Sequence, residues 1–233
     1  MNAGRIASRV ATARPEALLL VVVVALTGFF YGVRADVIGV RSPVTDWHSM
    51  TGAALPPLAH YVGSLLLLGV LPVLAAWVLL RLPPRELGLG LGRWKEGLLW
   101  LAAGVPIALL AARIGSGSPI MHFVYPLDRT ISPAPARFLP YAGMEFLYYG
   151  SWEVLFRGVL LFGLRRRLGD GFANVLQTAL SVLAHFGRAP DETFAAIPAG
   201  LVFGWVSLRV RSIWPIAIVH WIIGAGVDWF IVS

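Results

Sequence analysis

Six ionisable side chains stand where the surrounding residues are apolar: Glu145, Glu153, Arg157, His185, His220 and Asp228. At the centre of a membrane helix each charge costs about 2.5–3.5 kcal/mol even on the lenient insertion scale. Their retention points to a wet, protein-lined site. A carboxylate polarises a water; neutral imidazoles orient it, share its proton, or bind a metal through nitrogen. Glu153 and Arg157 are four residues apart, so on a helix they share a face and predict an ion pair. Glu145 lies two turns before Glu153 and is rotated about 80° from it, within reach of the same cavity at another depth. A histidine near a span end, as His185 is, is more commonly a hydrogen-bonded residue than a ligand. His220 lies deep in IWPIAIVHWIIGAGVDWF and has no such ordinary explanation.

These residues need helices to carry them. The chain has 233 residues, 58% of them hydrophobic and 13% charged, against about a quarter charged in soluble domains. Apolar blocks fall at about 15–33, 55–80, 96–113, 138–163, 171–187, 194–210 and 213–232. Blocks of this length span a bilayer, and only helices satisfy their backbone there. The expectation is an all-α, polytopic membrane bundle of about seven helices. The first block, following a basic stretch, is longer than a signal h-region and reads as a retained helix.

The charge of +7 comes from 18 Arg and one Lys and clusters at the block ends. That is a topology signal rather than a nucleic-acid-binding stripe, and no nucleic-acid partner is expected. With the N-terminus inside, twelve basic residues fall in inner segments and six in outer ones. The stretch RLPPRELGLGLGRWKE, 81–96, reads as a short amphipathic segment on the inner surface. Cysteine is absent, which excludes thiolate metal sites and a cysteine nucleophile. No internal repeat is present, which counts against a transporter built on inverted repeats.

The order of these features resembles the CPBP family, the CAAX-protease and bacteriocin-processing (ABI) intramembrane proteases. The family's first mark is Glu-Glu-x-x-x-Arg, here Trp152-Glu153-Val154-Leu155-Phe156-Arg157. Its second is Phe-x-x-x-His, here Ser181 to His185, and its third is His-x-x-x-Asn or Asp, here His220 to Gly224. The resemblance covers about 138–232. It divides one membrane domain into three N-terminal spans, 1–137, and a CPBP-like catalytic core of four, 138–233.

The resemblance implies hydrolysis of a peptide bond in a membrane-associated protein or peptide, in the cell membrane, in a cavity open to its inner half. Glu153 or Glu145 would act as general base. His185 and His220 would hold water or a divalent metal such as zinc, together with Glu153, or stabilise the oxyanion. Arg157 would fix Glu153, and Asp228 would support from one turn beyond Gly224. Two departures bear on this. Trp152 stands where the family keeps its water-activating glutamate, and Gly224 stands where it keeps an asparagine. They motivate an alternative: a protease fold that no longer cleaves and binds a membrane partner or confers immunity.

Overall fold

The computed structural model describes residues 15–33 and 55–233. The basic stretch 1–14 and the loop 34–54 lie outside the described residues. Long helices account for nearly all of the rest. Helix α1 runs Pro15–Gly28 and continues as a π-helical turn, Phe29–Val33. Helix α2, 55–80, is Leu55–Ser64, π-helical Leu65–Val70 and Leu71–Leu80 end to end. Helix α3 is Trp94–Gly115 and α4 is the short Pro119–Val124. Helix α5, 135–168, joins Pro135–Glu153, π-helical Val154–Phe162 and Gly163–Leu168. Then follow α6, Asp170–Ala184, α7, Pro190–Val210, and α8, Trp214–Val232.

The all-α expectation holds, and every expected apolar block is helical. Among the described residues, five helices are long and apolar enough to cross a membrane: α1, α2, α3, α7 and α8. Five of the expected seven spans thus meet this test of length and composition. Helix α6, with 15 residues, rises about 22 Å, short of a hydrocarbon core of about 30 Å. Helix α5 carries Glu145, Glu153 and Arg157, and all three are buried against protein. The outward surfaces are apolar, with Val24, Leu99, Ile107 and Leu110 exposed. Lipid is the solvent that makes such surfaces stable.

Start and stop signals follow helix chemistry. Pro190 opens α7 and Asp191 and Glu192 occupy its first turn, where the positive end of the dipole favours them. The stretch 81–96 does not lie free as an amphipathic helix. It forms a 3-10 turn, Pro84–Leu87, with Leu87 fully buried. It is tied to the α7–α8 turn by Ile213 N–H to the Gly88 carbonyl (3.0 Å), Trp214 Nε1–H to the Leu89 carbonyl (2.9 Å) and the Arg209–Glu96 ion pair. This clasp fixes the entry of α8, and with it the depth of His220.

Helix α8 lies between α3 and α5. Against α3 the approach is close: a Cβ on Gly104 would stand 2.7 Å from Val219 Cγ2, and one on Gly226 would stand 2.8 Å from Ala112 Cβ. Small residues at a membrane helix interface permit this separation, which dispersion then rewards. Gly226→Leu is expected to cost about 1–3 kcal/mol by overpacking. It should lower the thermal unfolding midpoint in detergent, whereas Leu99→Ala, on an exposed surface, should stay within about 0.5 kcal/mol of wild type.

Candidate active site

The site is built where α5 turns π-helical. Wide turns of this kind are frequent at functional sites. Glu153 is the last α-helical residue before the wide turns, and Arg157 lies one turn on. Arg157 Nη1–H donates to Glu153 Oε1 at 3.0 Å, and both side chains are buried. The predicted pair therefore exists. Its guanidinium also lies 5.5 Å from the Phe203 ring centroid, a cation–π contact supplied by α7.

The same oxygen has a second partner. His220 Nδ1 lies 2.7 Å from Glu153 Oε1. A carboxylate oxygen only accepts, so Nδ1 carries the hydrogen and donates to it. The two members differ in access: the Glu153 side chain is 0% exposed and that of His220 is 18%. His220 is thus the accessible member of the pair and Glu153 the enclosed one. Glu153 Oε2 has no hydrogen-bond partner among the described residues. An unpaired buried carboxylate oxygen costs about 1–3 kcal/mol or more, which a pair kept for stability alone would not carry.

His185 sits just past α6 and is buried. Its Nδ1–H donates to the Ser181 carbonyl at 2.7 Å, and its Nε2 is 3.9 Å from Glu192 Oε1 on α7. Trp152 packs edge-on to it with ring centroids 5.0 Å apart, and is itself 1% exposed among Phe156 and Tyr148. Arg188 caps this side: it donates to the hydroxyls of Tyr125 (3.2 Å) and Tyr148, and pairs with Glu192. Arg188, Glu192 and Tyr148 were not singled out from the sequence. The sequence signal that could have found Arg188 and Glu192 is their i,i+4 spacing.

Glu145 and Asp228 come together elsewhere. Both are buried, they interact with each other, and Tyr141 donates to Asp228 Oδ2 at 2.5 Å. This cluster is two helical turns from Glu153 along α5, about 12 Å. The structure thus places Glu153, Arg157 and His220 in one group, His185 with Trp152 and Glu192 in a second, and Glu145 with Asp228 in a third. Among the described residues no three His, Asp or Glu side chains converge as a metal-binding set. Zinc held jointly by Glu153, His185 and His220 does not fit this arrangement.

Comparison with known proteins bears on the same helices. Residues 138–226 match a family model described as Type II CAAX prenyl endopeptidase Rce1-like. The resemblance to the CPBP family holds over these residues. The match begins as α5 begins and ends in α8, so it contains Glu153, Arg157, His185 and His220 together. Neither a curated protein nor a solved structure gave a match. The match to a protease-family model over this core, together with the apolar helices, supports a multi-pass membrane protein that associates with a protein or peptide substrate.

Arg157→Met leaves Glu153 buried without its cation and should cost about 3–5 kcal/mol in thermal denaturation, with Glu153→Gln in the same chain recovering much of the loss. Equal losses in the single and double variants would contradict a buried charge pair.

Proposed function

We propose that this protein is an intramembrane endopeptidase in which His220, oriented by Glu153, activates the attacking water. The observation that carries this reading is the 2.7 Å contact between His220 Nδ1 and Glu153 Oε1, with His220 the accessible partner. His220 Nε2 takes a proton from water as its oxygen attacks the carbonyl carbon of the scissile bond. The resulting tetrahedral species collapses, the C–N bond breaks, and the proton passes from the imidazolium to the departing amine. Glu153 stabilises the imidazolium as it forms, and Arg157 holds Glu153 in place. The aromatic surroundings, with Phe203 and Tyr149 against His220, lower the local dielectric and strengthen each of these interactions. His185, with Nδ1 on the Ser181 carbonyl and Nε2 turned toward Glu192, shapes the neighbouring wall of the site. The substrate is a membrane-tethered protein or peptide reached from the inner half of the cell membrane.

A second reading rests on Trp152. Its ring fills the space beside His185 where the resemblance puts a water-activating glutamate. On that reading the fold binds a membrane partner without cleaving it.

One assay separates the two. In proteoliposomes with a membrane-tethered peptide reporter, wild type should cleave, and His220→Ala should lose about 10²–10⁴ of the rate, the usual contribution of a general base. Undiminished cleavage by His220→Ala would sink the proposal. An inert wild type that gains cleavage on Trp152→Glu would favour the second reading.

A further inference from the structure

The glycine that replaces the family's asparagine is matched by a tyrosine on the facing helix. Gly224 lies one turn after His220 on α8. A Cβ placed on it would stand 1.9 Å from Tyr149 Oη and 2.1 Å from its Cζ. The Tyr149 hydroxyl therefore occupies the volume in which a side chain at 224 would begin. Only glycine leaves that room, so Gly224 and Tyr149 belong to one arrangement.

Tyr149 is also placed to meet the reacting group. It is four residues before Glu153 and thus on the same face of α5. Its ring centroid lies 4.9 Å from that of His220. The neighbouring tyrosine hydroxyls are committed: Tyr141 to Asp228, and Tyr148 and Tyr125 to Arg188. Among the described residues the Tyr149 hydroxyl has no hydrogen-bond partner. An uncommitted O–H beside a histidine, in the place of a lost side-chain donor, is a donor kept for something that binds there.

We propose that Tyr149 is a catalytic residue of this protein, whose hydroxyl replaces the missing side-chain donor at position 224 and hydrogen-bonds the oxygen of the scissile carbonyl. This rests on the endopeptidase reading above. When water attacks, that oxygen takes up the electron pair of the C=O bond, and the Tyr149 O–H donates to it without giving up its proton. When the tetrahedral species collapses, the pair returns and the hydrogen bond relaxes. Because the oxyanion exists only near the transition state, the hydroxyl acts on kcat more than on KM.

The test uses the full-length protein in proteoliposomes and the tethered reporter. Tyr149→Phe removes the hydroxyl and leaves the ring against His220 and Gly224. A fall in kcat of about 10²–10³, the usual effect of losing one oxyanion donor, with KM within about threefold, is expected. Tyr149→Ala opens the space over residue 224, and adding Gly224→Asn to it puts a side-chain amide there. The double variant should recover at least about tenfold in kcat over Tyr149→Ala, a rescue that a purely packing role would not give. Tyr149→Phe cleaving at the wild-type rate, while His220→Ala is dead, would overturn this inference and leave the endopeptidase reading standing. If Tyr149→Phe fails to fold, the double variant decides: no recovery over Tyr149→Ala overturns the inference. A wild type that does not cleave overturns both.

Discussion

The carboxylate of Glu153 is the interaction on which the site depends. One oxygen accepts from Arg157 on its own helix and from His220 on α8. A guanidinium buried at that depth is costly without a partner, and Glu153 supplies one. The carboxylate thereby converts a local i,i+4 pair into a joint between two helices. It also fixes which imidazole nitrogen of His220 bears the proton. The cost of burying three polar groups is met only when all are in register, so the arrangement is demanding as well as stabilising.

That joint is one rung of a longer pattern. Helices α5 and α8 run antiparallel, and their residues meet in order: Glu153 with His220, Tyr149 with Gly224, Glu145 with Asp228. Each step is four residues on both helices, the spacing that returns a side chain to the same face. Trp221 Nε1–H to the Ala142 carbonyl, at 2.7 Å, locks the same pair of helices. Polar side chains in a membrane bundle must find protein partners, and a shared period lets two helices satisfy a whole column at once. On the far side, α3 holds α8 through small residues, and the turn after α7 is clasped to 84–89. His220 is positioned from three directions.

Much of this was legible in the sequence. Hydropathy located the helices because lipid forces apolar blocks into helices. The i,i+4 spacing of Glu153 and Arg157 announced their pair. The number of spans was less legible: α5 hides its charges against protein and α6 is short, so those two blocks do not pass the length and composition test that the other five pass. Tyr149 could not be found, because an aromatic residue in an apolar helix is ordinary and its meaning lies across the interface at Gly224. Glu145 reads along α5 as a neighbour of Glu153, yet the facing Asp228 claims it. Spacing along one helix shows which residues share a face; it does not show which partner that face meets.

The tautomer of His220 tests the central relation most directly. Nitrogen NMR of histidine-labelled protein in detergent, assigned by comparison with His220→Ala, reads which ring nitrogen carries the hydrogen in the neutral imidazole. The expected result is a proton on Nδ1, bonded to Glu153, with Nε2 bare. A proton on Nε2, or a spectrum unchanged by Glu153→Ala, would contradict a histidine held for catalysis by that carboxylate.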